Sequence, residues 1–268
     1  MEIIGEKINT TRKSVQQAVV DRDIDFIQDL ARKQADAGAT YLDVNSGMAL
    51  YPEEEAADFE WLVPAIQQVV DLPLVLDSGR QLPLETALKL HKGKAMINSV
   101  NGDLQSMETI FPLVKKYGCS AIALTSSKKS GIPATSQERL KIAEEIANEC
   151  RKYDITLDDI YFDPLVLPLS TDGKNGLIFI DTLRQIKAEF PEAKTVSGLS
   201  NISFGLPARK AVNLAFLILS IQAGMDAAIL DPTRKGTVAM IRATEALMDR
   251  DAFCGQYIAA FREGKLNF

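Results

Sequence analysis

A short apolar run followed by a longer amphipathic stretch recurs eight times along this chain of 268 residues. Strands that are apolar on both faces must be covered by helices on both sides or closed into a barrel, so this repeat restricts the fold more than any single motif. The predicted strands are Glu2 to Gly5, Thr40 to Val44, Leu74 to Leu76, Ala95 to Ile97, Ser120 to Leu124, Ile160 to Phe162, Thr195 to Gly198 and Asp226 to Leu230. The helices expected after them are Asp23 to Gly38, Glu55 to Val70, Leu84 to His91, Leu104 to Tyr117, Ser136 to Lys152, Leu177 to Glu189, Arg209 to Ala223 and Gly236 to Met248. A last helix, Phe253 to Arg262, is expected outside the ring. Eight β-then-α units in about 250 residues is the arithmetic of an α/β (β/α)8 barrel, the TIM barrel, here one domain over residues 1–268. A doubly wound sheet is the alternative, but its Gly-rich first turn is missing: Gly5-Glu6-Lys7-Ile8 lacks G-x-G-x-x-G.

The formal net charge of −6 gives phosphate nothing to bind globally, which argues against a nucleic-acid or anionic-membrane partner. The three cysteines, Cys119, Cys150 and Cys254, are odd in number and far apart, as expected of reduced thiols in a cytoplasmic protein. The opening Met1-Glu2-Ile3-Ile4-Gly5-Glu6 puts acids where a secretory leader has bases. Ala211 to Leu230 is nearly uncharged, but Gly224 breaks it into a buried helix and a buried strand, and no membrane span is expected.

Each predicted strand ends in polar residues: Glu6 and Asn9, Asp43 and Asn45, Asp77, Asn98, Thr125, Asp163, Asn201 and Asp231. Helix caps and turns account for any one of them. They account less well for a whole set biased to Asp and Asn with no basic member, placed where barrel enzymes do their chemistry. His91 is the single histidine and falls at a helix end, so neither a Ser-His-Asp triad nor a His-rich metal site is available, and no metal is expected. Lys94 and Lys194 lie at the starts of their strands, the wrong end for a Schiff base. A ring of carboxylates and amides without a nucleophile suits a neutral, planar, hydrogen-bonding molecule. A carboxylate accepts two parallel N–H bonds from an amino-pyrimidinone edge, and an amide both donates and accepts. A pterin has that edge; guanine-like and flavin-like rings fit nearly as well.

Six motifs at these strand ends carry a resemblance: Ile4-Gly5-Glu6-Lys7-Ile8-Asn9, Leu42-Asp43-Val44-Asn45, Leu76-Asp77-Ser78, Met96-Ile97-Asn98-Ser99, Phe162-Asp163-Pro164-Leu165 and Gly198-Leu199-Ser200-Asn201-Ile202-Ser203. Over essentially its whole length the chain resembles the methyltetrahydrofolate:corrinoid protein methyltransferases. These pterin-binding enzymes are related to the folate domain of cobalamin-dependent methionine synthase. The resemblance implies a barrel that binds tetrahydrofolate or 5-methyltetrahydrofolate and exchanges a methyl group with the cobalt of a cobalamin-like corrinoid on a partner protein. By motif, Asp77, Asn98 and Asp163 would hydrogen-bond the pterin. Gly198 and Ser200 would line the cleft, and Asn201 would sit near N5. Arg209 would contact the pterin or the folate tail, while Asp43 and Asn45 would give supporting contacts. A homodimer is implied as well, with the apolar helix Ala211 to Ala223 as a candidate interface. Phe204 departs from the pattern, since some members have a polar amide there.

The chemistry fits the inventory. A methyl group leaves a tertiary amine only if the nitrogen gains positive character, which a hydrogen bond or proton at N5 supplies. Asn201 donates through its amide without titrating. Co(I) is itself the nucleophile, so the protein need not provide one. Two other readings share the pterin contacts: a dihydropteroate synthase, for which Leu230-Asp231-Pro232-Thr233-Arg234 is a poor match, and a folate-binding protein without catalysis.

Overall fold

The computed structural model describes residues 1–266. Eight parallel strands follow one another in chain order and close on themselves: β1 (Glu2–Asn9), β2 (Tyr41–Asn45), β3 (Leu74–Asp77), β4 (Met96–Asn101), β5 (Ser120–Leu124), β6 (Ile160–Asp163), β7 (Lys194–Gly198) and β8 (Ala227–Leu230), with β8 paired back onto β1. The chain is thus a single closed barrel, as the eightfold repeat predicts. Helices α1 (Lys13–Asp21) and α2 (Ile24–Asp36) both follow β1. One helix then follows each strand: α3 (Pro52–Gln67), α4 (Gln81–Leu90), α5 (Leu104–Tyr117), α6 (Ser136–Lys152), α7 (Asn175–Glu189), α8 (Arg209–Gln222) and α9 (Thr237–Leu247). The last helix, α10 (Gly255–Arg262), packs on α9 outside the ring.

Three features differ from the sequence expectation, one being β4, which ends at Asn101, four residues past its predicted end. Helix α1 is unforeseen because it is short and buries only Val15, Ala18 and Val19, too narrow a stripe to register as a period. Arg22 ends it in the left-handed region at φ 54°, and the Asp23 side chain then accepts the Phe26 N–H at 3.0 Å to start α2. Strand β1 runs four residues past its predicted end, through the charged pair Glu6-Lys7, with its register against β2 shifting between Gly5 and Ile8. Elsewhere the stops are conventional, as where Gly118 closes α5 at φ 59°.

The barrel is filled by a core separate from the two clusters beneath the helices. Ile4, Val75, Met96, Ile122, Tyr161, Val196 and Ala227 form it, with Tyr41 packed against them, so every strand contributes one side chain. Below this layer Lys194 pairs with Glu2 at 3.0 Å and donates to the Tyr161 hydroxyl at 2.8 Å, which closes the N-terminal end. His91 lies at that end too: its Nε2 accepts the Leu74 N–H at 2.9 Å, and burial pushes its pKa down. It is a structural acceptor on the face opposite the strand C-termini. Among the described residues no helix is long and apolar enough to cross a membrane. The stretch Ala211 to Leu230 is shared between α8 and β8, with Gly224 at φ 113° between them.

Candidate active site

Side chains two apart on a strand share a face, so stepping two residues beyond the apolar layer gives the next layer up. In strand order that step reads Glu6, Asp43, Asp77, Asn98, Leu124, Asp163, Gly198 and Ile229. Four of these eight positions are carboxylic acids. The same alternation that packs the core therefore delivers Asp43, Asp77, Asn98 and Asp163 to the C-terminal mouth. Asn45, one further step along β2, lies beside Asp77, and Asp77 lies beside Asn98.

The amides bridge the acids. Asn45 Nδ2 donates to Asp77 Oδ2 at 2.9 Å, and Asn98 Nδ2 donates to Asp43 Oδ1 at 3.4 Å. Asp163 Oδ1 accepts the Ser197 hydroxyl at 2.5 Å and the Leu165 N–H at 2.7 Å. Burial raises every one of these carboxyl groups. Asp77 is pushed up to about 6 by burial, against the Asn45 hydrogen bond. Asp163 is pushed up to about 6 by burial, against the Ser197 and Leu165 bonds and the Arg139 charge. Asp43 rises further from burial and repulsion by Asp77, and Glu6 rises from burial, offset by Arg12 and Arg234. The mouth is a set of preformed acceptors short of donors, the complement of a ligand rich in N–H groups.

The loop after β7 supplies a different kind of group. Gly198 points into the mouth, and a Cβ there would meet only Asn201 Nδ2 at 3.9 Å, so the glycine leaves open space where a side chain would project. Asn201 is exposed, and its side-chain amide makes no hydrogen bond to any described residue. Ser200 turns the loop: its carbonyl accepts Arg209 Nη2 at 2.8 Å, while Arg209 Nε donates to Ser203 Oγ at 2.9 Å. Arg209, the first residue of α8, thus braces the loop that carries Asn201. Phe204 is 64% exposed at its end, an apolar face presented outward.

The other strand-end residues serve the scaffold. Thr125 is fully buried and donates its hydroxyl to the Asp163 carbonyl at 3.0 Å. Asn9 accepts the Thr11 N–H at 2.9 Å, a turn contact. Asp231 pairs with Lys7 at 3.4 Å and Arg234 at 3.6 Å. These contacts, with those from Thr233, outweigh its burial and lower its pKa.

Three residues escaped the sequence reading. Lys7 is a basic group at the mouth that the truncated β1 hid. Ser197 is a strand-interior serine in a β7 that already carries Lys194 and Thr195, so its polarity alone gives no signal. Arg139 on α6 is 1% exposed and has no carboxylate in ion-pair distance among the described residues. Its Nε donates to Pro133 O at 2.9 Å and its Nη1 to Pro164 O and Leu165 O at 2.7 and 2.8 Å, leaving Nη2 buried and unpartnered. Arg139 fixes the turn after β6, in which Leu165 sits at φ 65°, and through it the carboxylate of Asp163. One arginine among the many charges of a long amphipathic helix looks like any solvated charge until its burial is known.

A closed parallel barrel with an acid-and-amide mouth at the C-terminal ends of its strands is the class of protein this architecture defines. The pattern of the pterin-binding enzymes matches residues 5–231, and the chain belongs to that family. It is 38% identical over 268 residues to the methylcorrinoid:tetrahydrofolate methyltransferase of Eubacterium limosum, covering 99% of this chain and 98% of that one. It is also 30% identical over 245 residues to the methionine synthase of Mycobacterium tuberculosis, of which it spans only 20%. Among solved structures, dihydropteroate synthases share the fold. Those of Stenotrophomonas maltophilia and Coxiella burnetii superpose with TM-scores of 0.68 and 0.65 at 15% and 18% identity, covering 92% and 91% of this chain and 92% and 94% of theirs.

Proposed function

We propose that this chain is a methyltransferase that moves a methyl group between N5 of tetrahydrofolate and the cobalt of a corrinoid carried by a partner protein. The single observation that carries the reading is the cluster of buried carboxyl groups at the mouth, raised in pKa and short of donors. The 38% identity to a methylcorrinoid:tetrahydrofolate methyltransferase across nearly both whole chains supports it. Asp77, Asn98 and Asp163 take the pyrimidinone edge of the pterin, with Asp43 and Asn45 holding Asn98 and Asp77 in place. Gly198 and Ser200 line the cleft, Arg209 braces its loop with Nη1 left for the folate, and Asn201 donates to N5. In the transfer from folate to corrinoid the N5–methyl bond breaks and its electron pair stays on N5. The cobalt–methyl bond forms with the electron pair of Co(I). The reverse reaction passes through the same transition state, so the same residues serve both directions.

Asp163→Ala is expected to weaken 5-methyltetrahydrofolate binding by about 1–3 kcal/mol, or about 5- to 150-fold, because ring N–H groups lose a charged acceptor. Titration calorimetry measures it, and wild-type affinity would remove Asp163 from the site.

The mouth also has a pH signature. Asp77 and Asp163 titrate near 6 instead of in the usual carboxylate range, so between those limits the folded protein holds protons that the unfolded chain releases. Their contribution to stability is fullest below the ordinary carboxylate pKa and is lost as pH rises through about 6. A pterin that donates to the ionised carboxylates reverses that loss. The rise in melting temperature on adding the folate is therefore expected to be larger at pH 7 than at pH 5, roughly the window these shifts define. An equal shift at both values would contradict ionised carboxylates as the pterin's partners.

The whole of residues 1–268 acts as one pterin-binding domain in this reading. The free thiols Cys119, Cys150 and Cys254 support a reducing, cytoplasmic setting. The exposed Leu219 on α8 supports that helix as a homodimer contact, which equilibrium sedimentation of wild type and Leu219→Glu would test.

A further inference from the structure

A hollow lies on the flank of the barrel, between the loop after β5 and the outer face of α6, and none of the residues that form the mouth lines it. It encloses about 570 Å³, in the range of small-molecule sites. One wall is a short flap. Ser127 and Gly131 exchange both backbone hydrogen bonds, at 3.1 and 2.7 Å, and Gly131 closes the turn at φ 62°. Asp103, just ahead of α5, accepts the Lys128 N–H with both oxygens, at 3.0 and 3.1 Å, and so fastens the tip.

Two cations line this hollow without a partner. Lys129 on the flap and Lys141 on α6 have neither an ion pair nor a side-chain hydrogen bond among the described residues, in a chain of net charge −6. The Ser127 and Ser130 hydroxyls bond within the flap, to each other at 2.8 Å, and can turn to a ligand instead. The remaining lining is of a different kind. Pro133 and Ile142 are buried in it, and Ile132 is 40% exposed. Of its two acids, Glu138 already takes the Thr135 hydroxyl at 2.8 Å. Glu145, one turn beyond Lys141 on the same helix face, has no partner.

The hollow therefore offers two cations with hydroxyls, an apolar wall and one free carboxylate acceptor. A phosphate monoester on a flat, amine-bearing ring supplies the complement of all three: a dianion, a face of low polarity and N–H donors. An acidic peptide would meet the cations but set its remaining charge against Glu145. The wall also connects to the mouth. Pro133 gives its carbonyl to Arg139 Nε, and the same guanidinium holds the Pro164 and Leu165 carbonyls of the turn that donates to Asp163.

We infer that this hollow is an effector site for a nucleoside monophosphate of the adenosine type. Lys129, Lys141 and the two serine hydroxyls take the phosphate, Pro133 and Ile142 carry the ring, and Glu145 accepts its exocyclic amine. A ligand seated on Pro133 orders in advance the segment that Arg139 ties to Asp163, so it tightens binding at the mouth, and a ligand at the mouth tightens it in return. The site stands apart from the folate reading above; the coupling rests on it.

Calorimetry on the whole chain without folate measures the site itself. Wild type is expected to bind adenosine monophosphate. Inosine monophosphate, with a carbonyl in place of the amine, should bind about fivefold more weakly, and inorganic phosphate more weakly still. Lys129→Ala/Lys141→Ala is expected to lose about tenfold in affinity for the nucleotide and to keep the wild-type melting temperature, since both side chains are exposed and unbonded. Adenosine monophosphate at a concentration that fills the wild-type site should then tighten 5-methyltetrahydrofolate binding about fivefold, and much less in the double variant, whose folate affinity alone stays unchanged. No binding of the nucleotide by wild type overturns the inference, as does binding that the double variant retains. Equal affinities for the two nucleotides, or for adenosine monophosphate and phosphate, overturn the assignment of the ligand. Binding that leaves folate affinity unchanged overturns the effector role. A chain that binds the nucleotide but no folate contradicts the folate reading and not the site, so the two failures are distinguishable.

Discussion

Asn201→Ala is expected to slow methyl transfer about a hundredfold while changing folate affinity by no more than about threefold. The reason is the position of the amide. Asn201 stands at the mouth with its side chain unbonded, beside the space that Gly198 leaves open. In the proposed mechanism an unbonded group is free to follow the reacting nitrogen, and its hydrogen bond would strengthen only as charge develops at N5. Such a contact contributes to the transition state more than to the bound ground state, so its loss falls on kcat and not on KM. Because the Asn201 side chain is exposed and hydrogen-bonds to no described residue, the melting temperature of the variant should match wild type. Asn201→Asp separates donation from bulk: it keeps the size, offers an acceptor where a donor is needed, and should be at least as slow as the alanine variant. Single-turnover rates with saturating folate check this, and an unchanged rate would remove Asn201 from the chemistry.

Arg139→Ala gives the opposite pattern. Its guanidinium holds three backbone carbonyls, at Pro133, Pro164 and Leu165, in a place water does not reach. Each carbonyl left without a donor costs about 1–3 kcal/mol, so the variant should lose about 3–5 kcal/mol of stability. At this chain length that lowers the melting temperature by roughly 10 °C. In the molecules that remain folded, the turn after β6 loosens and Asp163 loses its bond from the Leu165 N–H. Folate affinity then falls with little change in the rate from saturated enzyme. Arg139→Lys, which keeps the charge and part of the bonding, should recover some of both stability and affinity. A variant as stable as wild type would mean that the turn holds without the arginine.

The two residues also mark what could be read in the sequence. The barrel was legible because strand and helix alternation is a periodic property, and the mouth followed because polar residues replace apolar ones at the strand ends, on the same face as the inner core layer. Asp77, Asn98 and Asp163 stand at such ends, and the structure brings them together. Asn201 was singled out by its motif. Arg139 was not, because burial of a charge is decided by what lies across from it, here a turn from another β/α unit. Ser197 and Lys7 were missed for related reasons: one is a small hydroxyl inside a strand that already carries Lys194 and Thr195, and the other is hidden by a strand that continues through two charges. The hollow beside α6 assembles Lys129 and Lys141 from a loop and a helix face, a proximity no local pattern encodes.

Anaerobic mixing of the protein with 5-methyltetrahydrofolate and Co(I) cobalamin tests the central claim most directly. The cobalt spectrum reports methyl–cobalt formation as it occurs, and the reverse mixture reports its loss. Conversion that depends on the protein, and that Asn201→Ala slows about a hundredfold, is the expected result. Folate binding with no methyl transfer, either to free cobalamin or to a corrinoid protein, would contradict the account and leave a folate-binding barrel without this chemistry.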